Sequence, residues 1–401
     1  MRKHVLFLTS TNLACNPRCL KEVRLLSLMD VDITVVAFYL HNWTDKKEIA
    51  LNKELEHVTF HYLESTRVEF FPWLFASFLE RISRMLVSIY RPGVLLSSVA
   101  VSKRSWQLLR WTKRAEIKPD LIIAHNPPAF YAAAGMAGKL NIPFALDVED
   151  YHPGEGHNAT INNSQVVLMR GLFERAAYLS YASPLIKEYS EKLLPERNPC
   201  SFVVNNLFPS ADFSDNFKAG GGKLKIVWFS QNVDFGRGLE ELIPVLAELE
   251  DQIELTLIGD GKEPFVRNIV EGRNFIRLVA PLDQQELHRI MGNFDAGLAI
   301  ESGKDVNKQV LLSNKIWTYY QAGLFIVASD TPAQKRFLTE RPDHGVCMTL
   351  TREDILKTFK KLINQLQDIR SKKTFRFRQA QNNGWEAESR LLSDKWGQIL
   401  G

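Results

Sequence analysis

Two rounds of alternating short apolar strands and amphipathic helices predict an α/β chain of two doubly wound parallel-sheet domains facing a cleft. The first round occupies residues 1–204. A break from Asn205 to Lys223, with Pro209, Asp212, Asp215 and Gly220-Gly221-Gly222, then reads as a linker. The alternation restarts after it and runs to residue 384, and residues 385–401 form a closing helix. A chain of 401 residues is too long for one ordinary core and suits two.

In the first half, residues 5–9 read as a strand. A polar loop leads to a helix over 17–29, opened by Pro17 at a position that needs no N–H donor. Strands follow at 33–38 and 58–62, and two long helices fill 72–90 and 97–115. Then come a strand at 121–124, a small-residue helix at 129–140, a strand at 144–148, a helix around 166–177 and a strand at 179–182. In the second half, strands centre near 226, 253, 275, 296 and 325. Ligands of open parallel sheets bind outside the carboxyl ends of the strands, so the cleft between the two domains is the expected site.

The run from Leu312 to Asp330 is the most informative. Ser313 is a good helix N-cap, an apolar face follows, and Ala322-Gly323 stops the helix before a strand. The first turn carries Lys315, a cation at the positive end of the helix dipole. An anion docked there removes the conflict. The oddity recurs upstream, where Arg237 sits between Gly236 and Gly238 at the start of another helix. Lys262 follows the strand end Gly259-Asp260-Gly261, and Glu301 ends a further strand. Taken singly, each of these residues reads as solvated surface. Together they describe a site for a phosphorylated ligand that also bears hydroxyl groups.

In the first half, His125 and Asn126 end one strand, and Asp147, Glu149 and Asp150 end the next. Glu149, Asp150 and His152 can orient hydroxyls or act as a base, or can be ordinary loop chemistry. Asp147 reads more simply as a cap.

Composition excludes several classes. The chain is 45% hydrophobic and 24% charged with a net charge of +4, far from the excess of a dedicated nucleic-acid binder. Cys15, Cys19, Cys200 and Cys347 are scattered and read as free thiols in a reducing cytosol, with no metal site expected. The apolar run Val5-Leu6-Phe7-Leu8 is too short for a secretory leader, so it is expected to be a strand. The region 70–101 is interrupted by Glu80, Arg81, Arg84, Arg91 and Pro92, which excludes a membrane span. Basic residues interleave with aromatics over 72–118, which reads as two amphipathic helices with a solvated basic face or as a transient contact with anionic lipid.

The segments 16–22, 227–238, 258–261, 313–332 and 384–389 resemble those of GT-B fold glycosyltransferases, in particular family 4 (glycosyl transferases group 1). The resemblance implies a cytoplasmic enzyme that moves a sugar from a UDP- or GDP-linked donor to a glycan or lipid-linked acceptor, and the lipid reading of 72–118 would place it peripherally at the inner face of the membrane. It implies retention, no divalent metal and no cofactor beyond the nucleotide sugar. By the same analogy the first domain is acceptor-side and the second binds the donor. Arg237, Lys315, Asn314, Ser230 and Lys262 would bind the diphosphate, and Glu301 and Thr318 the sugar and ribose. His125, Glu301, Glu149 and Asp150 would serve the chemical step, with Asn12, Asn16 and His152 toward the acceptor. Thr318 stands where many members carry a glutamate, and Glu301 fits the other glutamate only with altered spacing. A nucleotide-sugar epimerase and a non-catalytic nucleotide-sugar-binding protein are the alternatives.

Overall fold

The computed structural model describes residues 2–90, 92–217, 220–301 and 303–401. The chain divides into two compact units, Met1–Val204 with Ser389–Gly401, and Asn205–Glu388.

The first unit begins with β1 (Lys3–Thr9), α1 (Pro17–Leu26), β2 (Val31–Tyr39), α2 (Asp45–Glu54) and β3 (Val58–Glu64). Next come α3 (Phe70–Ile89), α4 (Val94–Val101), α5 (Lys103–Arg114), β4 (Leu121–His125), α6 (Pro127–Leu140) and β5 (Phe144–Val148). It continues with α7 (Ala159–Leu172), β6 (Tyr178–Tyr181), α8 (Pro184–Glu191) and β7 (Ser201–Val203). The seven strands form one parallel sheet in the order β3-β2-β1-β4-β5-β6-β7. The order reverses between β1 and β4, where Thr9 pairs with His125 at the carboxyl edge. That is the switch point at which such sheets leave a crevice.

The second unit contains β8 (Leu224–Val233), α9 (Leu239–Leu246), β9 (Ile253–Gly261), the single turn α10 (Glu263–Phe265), β10 (Ile276–Val279) and α11 (Gln284–Met291). Then follow β11 (Ala296–Ala299), α12 (Val306–Val310), α13 (Asn314–Gln321), β12 (Phe325–Ser329), α14 (Pro332–Thr339) and β13 (Gly345–Met348). The helices α15 (Arg352–Asn364), α16 (Leu366–Ser371), α17 (Lys373–Gln381) and α18 (Trp385–Glu388) complete it. Six parallel strands lie in the order β10-β9-β8-β11-β12-β13, with the switch point between β8 and β11. The last helix, α19 (Arg390–Leu400), belongs to the first unit, where Trp396 Nε1 donates to Tyr178 OH at 2.8 Å.

Both sheets are parallel and doubly wound, as the sequence predicts, but each has one short edge strand more than expected, β7 and β13, and the other differences have local causes. The helix expected over 97–115 is two, because extended Ser102 (φ −160°) ends α4 and its hydroxyl caps the Arg104 N–H of α5. The helix expected over 17–29 stops at Leu26, and the one expected around 166–177 runs over Ala159–Leu172, capped by Asn158. Helix α2 was not expected, since its low amphipathicity leaves no periodic signal, and the three-residue β7 is too short to read. The strand β8 runs on to Val233 through a bulge after Phe229, where a loop was expected.

Two glycines set the approach of elements at the second switch point. Gly238 caps α9 with φ +80°, and a Cβ there would lie 2.6 Å from Ile300 Cγ2. The loop after β8 therefore crosses directly above the end of β11. A Cβ on Gly297 would run into the Tyr319 ring, so this glycine lets α13 lie close on β11.

Lys373 is 7% exposed, and its Nζ donates to the Gly292 and Phe294 carbonyls at 2.7 and 2.5 Å. Burial pushes its pKa down to about 8. The unfolded lysine binds its proton up to about pH 10.4, so between these values the unfolded state holds more protons than the fold. The cost of keeping the charge buried is complete below about pH 8 and is relieved as pH rises through that window. Urea unfolding from pH 7.5 to 10.5 should show a stability gain of roughly 3 kcal/mol in the wild type relative to Lys373→Met.

Candidate functional site

At the first switch point lies a charge network of unusual depth. Arg18 of α1 grips Asp147 of β5 with two hydrogen bonds, Nε to Oδ2 at 2.7 Å and Nη2 to Oδ1 at 2.8 Å. Its Nη1 donates to the Val204 carbonyl at 2.6 Å, and Ser180 Oγ donates to Asp147 Oδ1. His125, fully buried, lies among three carboxylates. Its Nε2 is 3.3 Å from Glu22, and its Nδ1 is 3.2 Å from Glu149 and 3.4 Å from Asp147.

Burial alone would lower the His125 pKa, but the Cys19, Glu22 and Asp147 groups around the ring outweigh it and raise it overall. Burial would also raise the Asp147 carboxyl, yet Arg18 and His125 draw it far below its usual range. Glu22 behaves oppositely. Its burial dominates, its pKa is raised, and Oε1 has no hydrogen-bond partner among the described residues. Lys21, pushed down to about 7 by burial and the Arg18 charge, completes the cluster.

Glu22, His125 and Asp147 are close enough to be weighed as a metal centre. The donor set does not fit one. Both Asp147 oxygens are held by the Arg18 guanidinium, which a cation would have to displace.

The network changes what the first-unit residues can do. His125, expected to take part in the chemical step, has no exposed surface. Glu149 is the member that reaches solvent, with its side chain 20% exposed and Oε1 held by Asn16 Nδ2 at 2.6 Å. Asn16 and Asn12, expected to face an acceptor, are sealed in as caps. Asn16 Oδ1 accepts from Cys19 N–H, while Asn12 Oδ1 accepts from Cys15 N–H and its Nδ2 donates to Thr44. Asn126, at the head of α6, adopts φ +68°. A strained non-glycine backbone beside a switch point is the kind retained at functional sites.

His152 is also buried. Burial pulls its pKa down, but Glu155 and the Asp150 and Glu149 charges outweigh this and raise it overall. Asp150 is half-buried two residues before it. The first loop is itself held from α2, where Glu48 accepts the Leu13 and Ala14 N–H groups at 3.1 and 2.8 Å.

In the second unit, Lys315 Nζ lies 3.2 Å from Glu301 Oε1, each side chain only 13% exposed. The Glu301 N–H donates to Ser329 Oγ at 2.8 Å, which fixes the carboxylate at the end of β11. The buried Trp228 ring of β8 lies 5.9 Å from the ammonium. Ser313 occupies the expected cap position of α13, but its hydroxyl makes no cap hydrogen bond. The first-turn N–H groups thus receive no side-chain acceptor from Ser313.

Arg237 is exposed in the loop above β11 and has no ion pair among the described residues. Asn314 is exposed and accepts from Asn206 Nδ2 at 2.8 Å, and Ser230 is half-buried on β8. Lys262 is not drawn into the cluster, since it pairs with Asp260 at 2.5 Å. Thr318, expected to meet a ribose, is 1% exposed with no partner for Oγ1 among the described residues. Three residues beyond Lys315 on the same helical face, it lies a turn deeper.

Sequence reasoning missed Arg18, Glu22 and Trp228 as members of these clusters. For the first two a signal existed. Arg18 and Glu22, four residues apart, flank the buried stripe Cys19, Val23 and Leu26 of α1. Charges beside an apolar stripe need a partner on the element that the stripe covers.

No protein-family model matches the chain, and no curated protein matches it in sequence. Solved structures do. HepE from Anabaena, in complex with UDP, is 13% identical with a TM-score of 0.69, over 99% of this chain and 100% of that one. A glycosyltransferase from Rickettsia africae is 12% identical with a TM-score of 0.67, over 100% and 99%. A UDP-N-acetylglucosamine 2-epimerase is 14% identical with a TM-score of 0.60, over 99% and 97%. The fold is that of GT-B glycosyltransferases, two parallel α/β sheets of seven and six strands, and at such identity the likeness shows the fold alone.

Replacing Arg18 with Met leaves Asp147 buried without its counter-charge. Arg18→Met should lose about 3–5 kcal/mol of stability in urea unfolding. The double variant Arg18→Met/Asp147→Leu should recover most of it, and equal losses in both would show that the two are not coupled.

Proposed function

We propose that this chain is a glycosyltransferase that takes a sugar from a UDP-linked donor and passes it to a glycan or lipid-linked acceptor, with retention and without a divalent metal. The observation that carries the reading is the Lys315–Glu301 pair at the head of α13. An ammonium at a helix N-terminus without a side-chain cap is placed for a phosphate. Glu301 holds that ammonium in position before the ligand arrives. Arg237, exposed above the same strand end, supplies a second cation from the loop crossing Ile300. Two chain-borne cations counter the charge that grows on the leaving diphosphate, the task a metal performs in other designs.

In the first unit, Glu149 is the group offered to an acceptor hydroxyl. His125 behind it acts as a positioning residue, fixing the carboxylate from inside the fold. Asp150 stands next to it on the same loop. Structures of HepE with UDP and with UDP-glucose support a uridine donor over a guanosine one.

The epimerase neighbour favours a second reading, in which a nucleotide sugar alone is converted. The two separate in one assay. A transferase releases UDP in step with transfer of the sugar to an acceptor, whereas an epimerase returns a nucleotide sugar with no net release of UDP.

Thermal unfolding should show stabilisation by UDP over GDP, ADP and CMP. At a hundred times its dissociation constant UDP adds about 2.7 kcal/mol. Lys315→Ala and Arg237→Ala should lose most of that gain, and no stabilisation by any nucleotide would end the donor reading. Glu301→Gln should keep UDP binding within severalfold and reduce transfer at least a hundredfold, read as UDP release. Unchanged turnover would remove Glu301 from the chemistry, and binding without turnover in the wild type would favour the non-catalytic alternative.

A further inference from the structure

Helix α3 leaves a broad apolar face in solvent. It is 20 residues long, about 30 Å at 1.5 Å per residue. The fully buried positions on it are Ala76 and Ser83, a small side chain and a hydroxyl. The side turned to α4 carries Arg84, whose Nη2 lies 2.6 Å from Glu80 and whose Nε donates to the Ala100 carbonyl at 2.9 Å. The outward face carries Phe71, Leu74, Phe75, Phe78, Met85 and Ile89, which recur at helical spacing with Leu74 and Phe75 side by side. Phe71 is 80% exposed, Phe78 58% and Ile89 65%. Leu79, Ile82, Leu86 and Val87 are half-buried and Arg81 is exposed, as a helix with a solvated basic face requires, but α3 also leaves this second apolar face in solvent. An apolar face of this extent on a solvated helix marks an interaction surface.

Charge selects the occupant. Residues 67–118 hold ten Lys and Arg against three Asp and Glu, in a chain whose net charge is only +4. Arg91 of that set lies outside the described residues. A second copy of this chain docked on the same face would bring two such basic segments together, whereas an anionic surface is complementary to them. The basic residues also flank the apolar face. Lys103 and Arg67 lie 5.2 and 5.0 Å from the Trp73 ring of α3. Beside the first turn of α3 is a cavity of about 410 Å³ walled by Glu69, Pro72, Trp111, Arg110 and Arg114. Arg110 and Arg114 are exposed on successive turns of α5, and neither has an ion pair among the described residues.

We infer that the outward face of α3 docks this unit on an anionic lipid bilayer, its aromatic and aliphatic side chains entering the headgroup boundary while Arg110 and Arg114 hold lipid phosphates. Among the described residues no helix is long and apolar enough to cross a membrane, so α3 lies in the surface rather than through it. Such a surface would bring the first unit to acceptors that are themselves anchored in lipid. That consequence rests on the transferase reading, but docking does not.

The experiment is co-sedimentation of the full chain with vesicles of phosphatidylcholine alone and with 30% phosphatidylglycerol (about one anionic lipid in three), alongside light scattering of the free protein. The wild type should bind the anionic vesicles at least tenfold more tightly than the neutral ones. Phe71→Glu/Phe78→Glu and Arg110→Glu/Arg114→Glu should each weaken that binding tenfold or more. All four positions are exposed or line an open cavity, so thermal midpoints and UDP stabilisation should stay at wild-type values, which separates this test from that of the donor site. Equal binding to both vesicles, or binding untouched by the phenylalanine changes, would overturn the proposal. So would a wild-type dimer that Phe71→Glu/Phe78→Glu dissociates, since a second copy would then be the occupant.

Discussion

The Arg18–Asp147 pair is the interaction on which the first unit depends. An aspartate sealed at the end of a central strand is tolerable only with a counter-charge that satisfies both of its oxygens, and the guanidinium fork of Arg18 matches that geometry. Once α1 is tied to β5 in this way, its next turn delivers Glu22 to His125. The ring is then fixed between Glu22 and Glu149, one carboxylate sealed and the other reaching solvent. The orientation of the exposed group is thus set from the interior, through rotamers that packing does not allow to change. A buried ionic network is seldom a gain in stability over an apolar core of equal volume, so its presence at a switch point argues for placement of charge rather than for strength.

The second unit solves a related problem with fewer parts. Its pair, Lys315 and Glu301, is only partly sealed, and each partner is secured by a different element. Glu301 is anchored through its N–H to Ser329 on β12, and Lys315 rides on α13 above the Trp228 ring. Close contact between α13 and β11 requires the missing side chain of Gly297, and the loop bearing Arg237 requires that of Gly238. Helix α13 and the loop bearing Arg237 thus reach the end of β11 because two backbones approach more closely than ordinary side chains allow. Electrostatics in this unit follows from sterics.

Much of this was legible in the residues. Parallel sheets covered by helices write themselves as short apolar runs at regular intervals. Lys315 and Arg237 stood out because a cation at a helix start contradicts the helix dipole. What could not be read is which polar side chain is turned inward. Asn12 and Asn16 look like loop residues free to meet a ligand, yet capping claims them, a use that depends on where the next helix begins. Glu48 was invisible because its partners are backbone N–H groups some 35 positions earlier, and α2, which carries it, has no periodic signal. The apolar face that α3 leaves in solvent was beyond periodicity. Helical spacing reports that one face is apolar, and it is silent on which way that face points.

Thr318 shows how position decides chemistry. It stands where a carboxylate would be expected by resemblance, but it is 1% exposed one turn beneath Lys315. A carboxylate there would lose its hydration and would compete with Glu301 for one ammonium, at a cost of several kcal/mol for any charge left unpaired, about the whole margin by which many domains are folded. Threonine carries no charge and avoids that conflict. The acidic partner of Lys315 instead comes from the end of β11, where Glu301 retains contact with water and with whatever occupies the head of α13. In this chain the carboxylate beside Lys315 comes from the strand end, and the helix keeps at Thr318 a small side chain that lets it pack.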